Sequence, residues 1–265
     1  MKKRHQIVLA VAAASLVLAG CGDKDTSAKA GVGKTAGTEL TAANFVTEIT
    51  AAQLKAKSSH IDMKIDASGQ KITAVGDIEV GAGATTTRIA MMMDLGSTGM
   101  GKLEVRLINQ AFYINLGPMS QNKFAKIDLA DSSDPIGAQY GKLIDQLDPS
   151  KLIEQFKGAL SSLKKKGAAI ELDGVKAQPY ELTLDTSKLT DISKLAGTAN
   201  LPKEIVYTMF IGPDNLPRRI ESEFSGARAT MDLSKWGESV DIKAPSKAEI
   251  TDRSFLDQMG IRPAA

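Results

Sequence analysis

The sequence predicts an α+β fold: a curved antiparallel β-sheet, a half-barrel, with amphipathic helices on its concave face. Three observations carry this. Runs of apolar residues alternate with polar ones at a period of two, in segments bounded by Gly, Asn or Ser. They number about ten, and a sheet of that width curls. Between and before them lie stretches with apolar residues at helical spacing, the available cover for the sheet's apolar side.

The chain has 265 residues, 43% hydrophobic and 24% charged, an ordinary globular balance. Three of its 33 basic residues, Lys2, Lys3 and Arg4, lie in the first four positions, which leaves the rest nearly balanced against 31 acidic ones. That argues against a nucleic-acid partner, which calls for a basic excess. One cysteine excludes an internal disulfide, and two histidines exclude a His-cluster metal site.

Residues 1–20 read as a signal peptide. Lys2-Lys3-Arg4-His5 is a basic start, and Ile7–Val17 is an apolar run too short to span a bilayer. Leu18-Ala19-Gly20-Cys21 is a bacterial lipobox, with small residues before the cysteine that receives the diacylglyceryl group. Two or three acyl chains give stable anchoring at about 0.8 kcal/mol per buried CH₂. Residues 21–39 are then the lipidated cysteine and a flexible tether of Gly, Ala, Lys, Ser and Thr. The seventeen residues Gly22–Thr38 span roughly 20–25 Å as a coil and about 55–60 Å when stretched. Residues 40–265 are expected to form a single domain.

The first element is a helix over Thr41–Lys57, with Phe45, Val46, Ile49 and Leu54 as its stripe. Five strands follow: Ser59–Ala67, Lys71–Val80, Thr85–Leu95, Lys102–Ile108 and Gln110–Leu116. Short connections imply an antiparallel meander. Ile136, Tyr140, Leu143, Ile144 and Leu147 mark a helix. Another begins at Pro149 or Ser150 and carries Leu152, Ile153, Phe156, Leu160 and Leu163. Strands resume at Ala168–Asp173 and Ala177–Leu184 around the hairpin signal Asp173-Gly174. A short helix is expected over Thr186–Leu195. Three further strands cover Glu204–Ile211, Pro217–Phe224 and Ala227–Leu233, and a polar tail ends the chain.

Two segments imitate phosphate loops. The one ending Gly33-Lys34-Thr35 lies in the tether with no strand before it. In Gly96–Lys102, Leu103 stands where a hydroxyl would bind Mg²⁺, and a strand follows instead of a helix. Both read as chance matches. No nucleophile–base pair or metal motif is present, and His60, on the polar side of the first strand, reads as a surface histidine. No catalytic residue, cofactor or metal is assigned. Met91-Met92-Met93 has two readings: flexible, polarisable contacts for variable apolar ligands, or gap-filling in the core.

Leu233-Ser234-Lys235-Trp236-Gly237-Glu238-Ser239-Val240, followed by Pro245, resembles the closing signature of the LppX/LprA/LprF/LprG lipoproteins of actinobacteria. Lys55–His60, Asp134-Pro135 and Gly174 agree with that family in order. The resemblance covers roughly Leu40–Pro245, together with the lipobox and tether. It implies a hydrophobic cavity inside the half-barrel that binds acylated lipids or glycolipids and carries them across the cell envelope, at the outer face of the cytoplasmic membrane. It further implies a membrane transporter that loads the carrier, and acylation at Cys21. By position it makes Ile89, Met91, Met93, Val105, Leu107 and Ile114 candidates for lining the cavity. A monomer is expected.

An empty rigid cavity costs about 24 cal/mol per Å³. One of roughly 1,000 Å³ would cost on the order of 20 kcal/mol, more than a typical stability of about 5–15 kcal/mol. A lipid-sized pocket therefore holds lipid, holds solvent or collapses. The rival expectation is a sensor or protein-interaction lipoprotein with the same fold. A hydrolase is a weaker third.

Overall fold

A computed structural model describes residues 39–67, 69–81, 86–96, 101–131, 133, 149–189, 202–224 and 226–252; for 149–153 and 224 it describes the backbone alone. The expected signal peptide, most of the tether, the helix marked by Ile136–Leu147 and most of that over Thr186–Leu195 lie outside the described residues.

Helix α1 (Phe45–Ala56) buries Phe45, Val46, Ile49, Thr50 and Gln53, a single stripe. The Asn44 side chain orders its entry, accepting from the Thr41 N–H at 2.7 Å and donating to the Glu39 carbonyl at 2.9 Å. Lys57 ends the helix in the left-handed region (φ 69°), its N–H returning to the Gln53 carbonyl. Helix α2 (Pro149–Ala159) opens on proline, whose missing N–H costs nothing at a first helical position. It buries Phe156 and Ala159.

The strands are β1 (Ser58–Ala67), β2 (Gln70–Glu79), β3 (Arg88–Asp94), β4 (Lys102–Ile108), β5 (Ala111–Asn115), β6 (Phe124–Asp128), β7 (Leu160–Lys165), β8 (Ile170–Leu172), β9 (Val175–Asp185), β10 (Glu204–Ile211), β11 (Pro217–Phe224), β12 (Ala227–Ser234) and β13 (Ile250–Thr251). Twelve form one path in the order β13-β6-β5-β4-β3-β2-β1-β12-β11-β10-β9-β7, and β8 pairs with β9. The path has two ends, so the sheet is an open α+β half-barrel rather than a closed one. Two meanders run outward from the centre and are joined there by β1 and β12, with Ile61 opposite Leu233 and Met63 opposite Met231. All pairs are antiparallel except β13 with β6.

The ten expected strands are all present. The other three, β6, β7 and β13, escaped the sequence for separate reasons. The helix expected from Pro149 stops at Ala159, and Leu160–Lys165 is strand. A β-bulge explains the misreading. Leu160 lies opposite Leu184 and Leu163 opposite Leu182, so residues three apart on β7 match residues two apart on β9. The bulge thus reproduces helical spacing. In β6, Phe124, Ala125 and Ile127 are all buried, which breaks the one-faced alternation. β13 has two residues, too few for a pattern.

The expected polar tail is part of the fold. Val240, Ile242 and Ile250 pack over Ile108, Ala111, Tyr113 and Phe124 on the sheet's outer side. Arg106 donates to the Lys243 carbonyl at 2.9 Å and stacks over the Phe124 ring, 4.8 Å from its centroid. The main core lies on the other side. There Phe45, Val46 and Ile49 of α1 and Phe156 and Ala159 of α2 join Ile61, Met63, Met209, Ile220 and Met231.

Candidate functional site

In an antiparallel pair, directly opposed residues point to the same side. The registers therefore assemble the inner face row by row. One row runs Ile78, Ile89, Leu107, Phe112, Ile127 from β2 to β6. The next runs Leu233, Ile61, Gly76, Met91, Val105, Ile114, Ala125 from β12 to β6. A third runs Met209, Ile220, Met231, Met63, Ala74, Met93, Leu103 from β10 to β4. The six candidates Ile89, Met91, Met93, Val105, Leu107 and Ile114 thus share one face on three adjacent strands.

Burial divides that face. Under the helices, Ile61, Met63, Ala74, Met209 and Met231 are buried. On β3 to β5 the six candidates are half-buried, as are Leu103 and Phe112 between them. Ile89, Met91 and Met93 pack at the border of the main core. Leu107 and Ile114 pack against a second cluster, Leu116, Ala125, Ile127 and Leu129. Leu103 and Phe112 belong to the same surface but were not among the candidates, although their alternation carries the same signal. The inner face of β9 and β10 adds two tyrosines. Tyr180 meets Phe45 with ring centroids 6.4 Å apart. The Tyr207 hydroxyl is pushed up to about 12 by burial in this apolar setting.

Gly76 leaves a gap in the second row. A Cβ there would lie 2.2 Å from the Ala90 carbonyl oxygen and 2.8 Å from the Met91 Cα, so only glycine lets β2 and β3 approach this closely. Met91 therefore faces a position with no side chain.

The outer face carries paired charges: Arg219 with Asp232 at 2.6 Å, Arg106 with Glu104 at 2.7 Å, Lys126 with Asp128 at 2.9 Å, and Arg88 with Glu79. The Lys126 ammonium holds the Asp128 carboxyl below its ordinary value. A groove of about 460 Å³ on this side is lined by Lys166, Glu181, Glu221, Glu223 and Arg228, with Val206 among them. His60 is here too, its Nδ1 2.8 Å from Asp77 Oδ1. Ser234 is its partner across β12, which lines up Ser, His and Asp. Of the two contacts such a row could make, the His60–Asp77 bond is the one present. Among the described residues no group of three or more His, Cys, Asp or Glu could hold a metal ion. Nor is any helix among them long and apolar enough to cross a membrane.

The fold is similar to that of two mycobacterial lipoproteins. With LprF from Mycobacterium bovis the TM-score is 0.49 at 14% identity, covering 77% of this chain and 97% of that one. With the lipoprotein LppX from Mycobacterium tuberculosis it is 0.48 at 14% identity, covering 75% and 98%. No family model and no curated protein matches the chain.

Proposed function

We propose that this chain is a lipoprotein, anchored through Cys21 at the outer face of the cytoplasmic membrane, that shelters acylated lipid or glycolipid against its inner sheet face and carries it across the cell envelope. On this reading residues 1–20 are removed, 21–39 form the anchor and tether, and 40–265 are a single monomeric lipid-binding domain. The task needs no catalytic residue. The observation that carries the reading is the run of eight half-buried apolar side chains on β3 to β5, continuous with the main core, in a chain whose single cysteine ends a lipobox.

The energetics suit a carrier. Each CH₂ withdrawn from water is worth about 0.8 kcal/mol, so a sixteen-carbon chain gains on the order of 10 kcal/mol. It gains about as much in a bilayer, so exchange between protein and membrane is nearly neutral and reversible. Flexible methionines at positions 91 and 93 adapt to chains of different shape. Half-exposed apolar surface is also poorly satisfied without a ligand, so the protein is expected to be partly loaded when isolated. A membrane transporter is the expected loading partner.

The test is a titration with a fluorescent diacyl lipid. Wild type should bind, and Met91→Trp, whose ring fills the space opposite Gly76, should weaken binding at least tenfold while keeping its fold. Equal affinity in the two proteins would reject the inner face as the site.

A further inference from the structure

We propose that the β7 edge, with Lys164, Lys165 and Lys166, is the surface that faces an anionic membrane. This rests on the reading of Cys21 as the anchor. β7 is an end strand of the sheet, and all three lysines are exposed. From Pro149 to Gly167 the chain holds five lysines and one glutamate. On the outer side, Lys166 pairs with Glu181 at 2.5 Å, and Lys164 lies opposite the same carboxylate. On the inner side, Lys165 lies opposite Tyr180. Lys164 and Lys166 thus share the Glu181 carboxylate, while Lys165 faces a tyrosine on the other side. In the other half of the sheet, on β6, β4 and β3, Lys126, Arg106 and Arg88 each have their own carboxylate.

The tether reaches the fold at this same corner. The carbonyl of Glu39, the first described residue, accepts from the Asn44 side chain at 2.9 Å, and the next residue, Phe45, packs on the Tyr180 ring. Tyr180 is therefore flanked by the tether's end and by Lys165. A tether of about 20–25 Å as a coil leaves the domain free to turn, but its attachment holds this corner nearest the bilayer. A lysine near an anionic surface contributes about 1 kcal/mol, roughly fivefold in local partition. The charges then fix which edge lies down, and the inner face reaches the headgroups at its Leu163–Tyr180 rim. Lysines on an edge strand also discourage pairing with other chains. That role alone predicts no dependence on lipid charge.

The experiment uses the full acylated chain in vesicles. Acylation blocks Cys21, so Ala168→Cys supplies one labelling site beside β7, and Lys123→Cys supplies a control beside β6. Energy transfer from each label to a headgroup acceptor is read in neutral phosphatidylcholine and with about 30 mol% phosphatidylglycerol. Transfer from position 168 should rise with phosphatidylglycerol. It should return to the neutral value in Lys164→Glu/Lys165→Glu and in about 0.5 M salt, where the Debye length is ~4 Å. Position 123 should not respond. Equal transfer at position 168 in both vesicle types, or a rise that survives the double reversal, would overturn the proposal and leave the anchor reading intact. Failure of the chain to co-sediment with vesicles would overturn both.

Discussion

Met91 lies directly opposite Gly76 across the β2–β3 pairing, so the inner apolar face has a position with no side chain beside one of its most adaptable ones. The main-chain approach dictates the glycine, since even a methyl group there would collide with the Ala90 carbonyl. Gly76→Ala is expected to destabilise the fold by about 2–4 kcal/mol through backbone displacement. Urea denaturation measures it, and an unchanged midpoint would mean that the two strands separate at little cost.

Trp236 joins the chain's closing turn to the sheet. Its indole N–H donates to the Pro217 carbonyl at 2.9 Å, while the Gly237 N–H donates to Ser58 and the Ser58 hydroxyl donates to Glu238. The turn thereby fastens β12 to β11 and to the start of β1. Trp236→Phe removes one partly buried hydrogen bond and should cost about 1 kcal/mol. Trp236→Ala also removes the packing and should cost about 3–5 kcal/mol. Similar losses in both variants would mean that the hydrogen bond, not the ring, holds the turn.

Tyr207 gives the fold a pH limit on the alkaline side. Its folded value is raised from the ordinary 10 to about 12 because burial disfavours the phenolate. The resulting stability is complete below pH 10 and is lost as the pH rises through 12, because the unfolded chain ionises first. The full effect is about 2–3 kcal/mol. Tyr207→Phe cannot ionise, so between pH 9 and about 11.5 its denaturation midpoint should fall less than that of wild type. Parallel declines would place the hydroxyl in water.

His60 separates carriage from hydrolysis. Its imidazole lies on the outer face with Asp77, across the sheet from Met91. His60→Ala should leave lipid binding unchanged, whereas Ile89→Trp should reduce it at least tenfold. Loss of lipid-ester turnover in His60→Ala would instead point to a hydrolase acting through the Ser234–His60–Asp77 row.

Most of the sheet was legible because in strands such as β1, β2 and β12 the inner residues are apolar and most outer ones polar, which writes a period of two into the sequence. Legibility failed where a residue served another purpose. The bulge that places Leu160 and Leu163 on one face imitates a helix. Phe124 is buried from the outside, by the C-terminal segment, and so hides the alternation of β6. That segment looked polar because, among the described residues, Val240, Ile242 and Ile250 supply its apolar contacts with the sheet. The inner-face candidates came from their position in the family resemblance, and strand parity puts them on one side, but their partners could not be read. The opposition of Met91 to Gly76 depends on register, which short-range pattern does not encode. The basic edge needed the structure too, because the pairing of β7 with β9 is what sets Lys165 opposite Tyr180 and Lys164 opposite Glu181.

Native mass spectrometry of the secreted protein, purified without added lipid and compared before and after denaturation, tests the central claim most directly. The account predicts a population carrying additional mass that leaves as acylated lipid or glycolipid on denaturation and is depleted in Met91→Trp. A single unliganded mass that stays unchanged after incubation with diacyl lipids and glycolipids would contradict it.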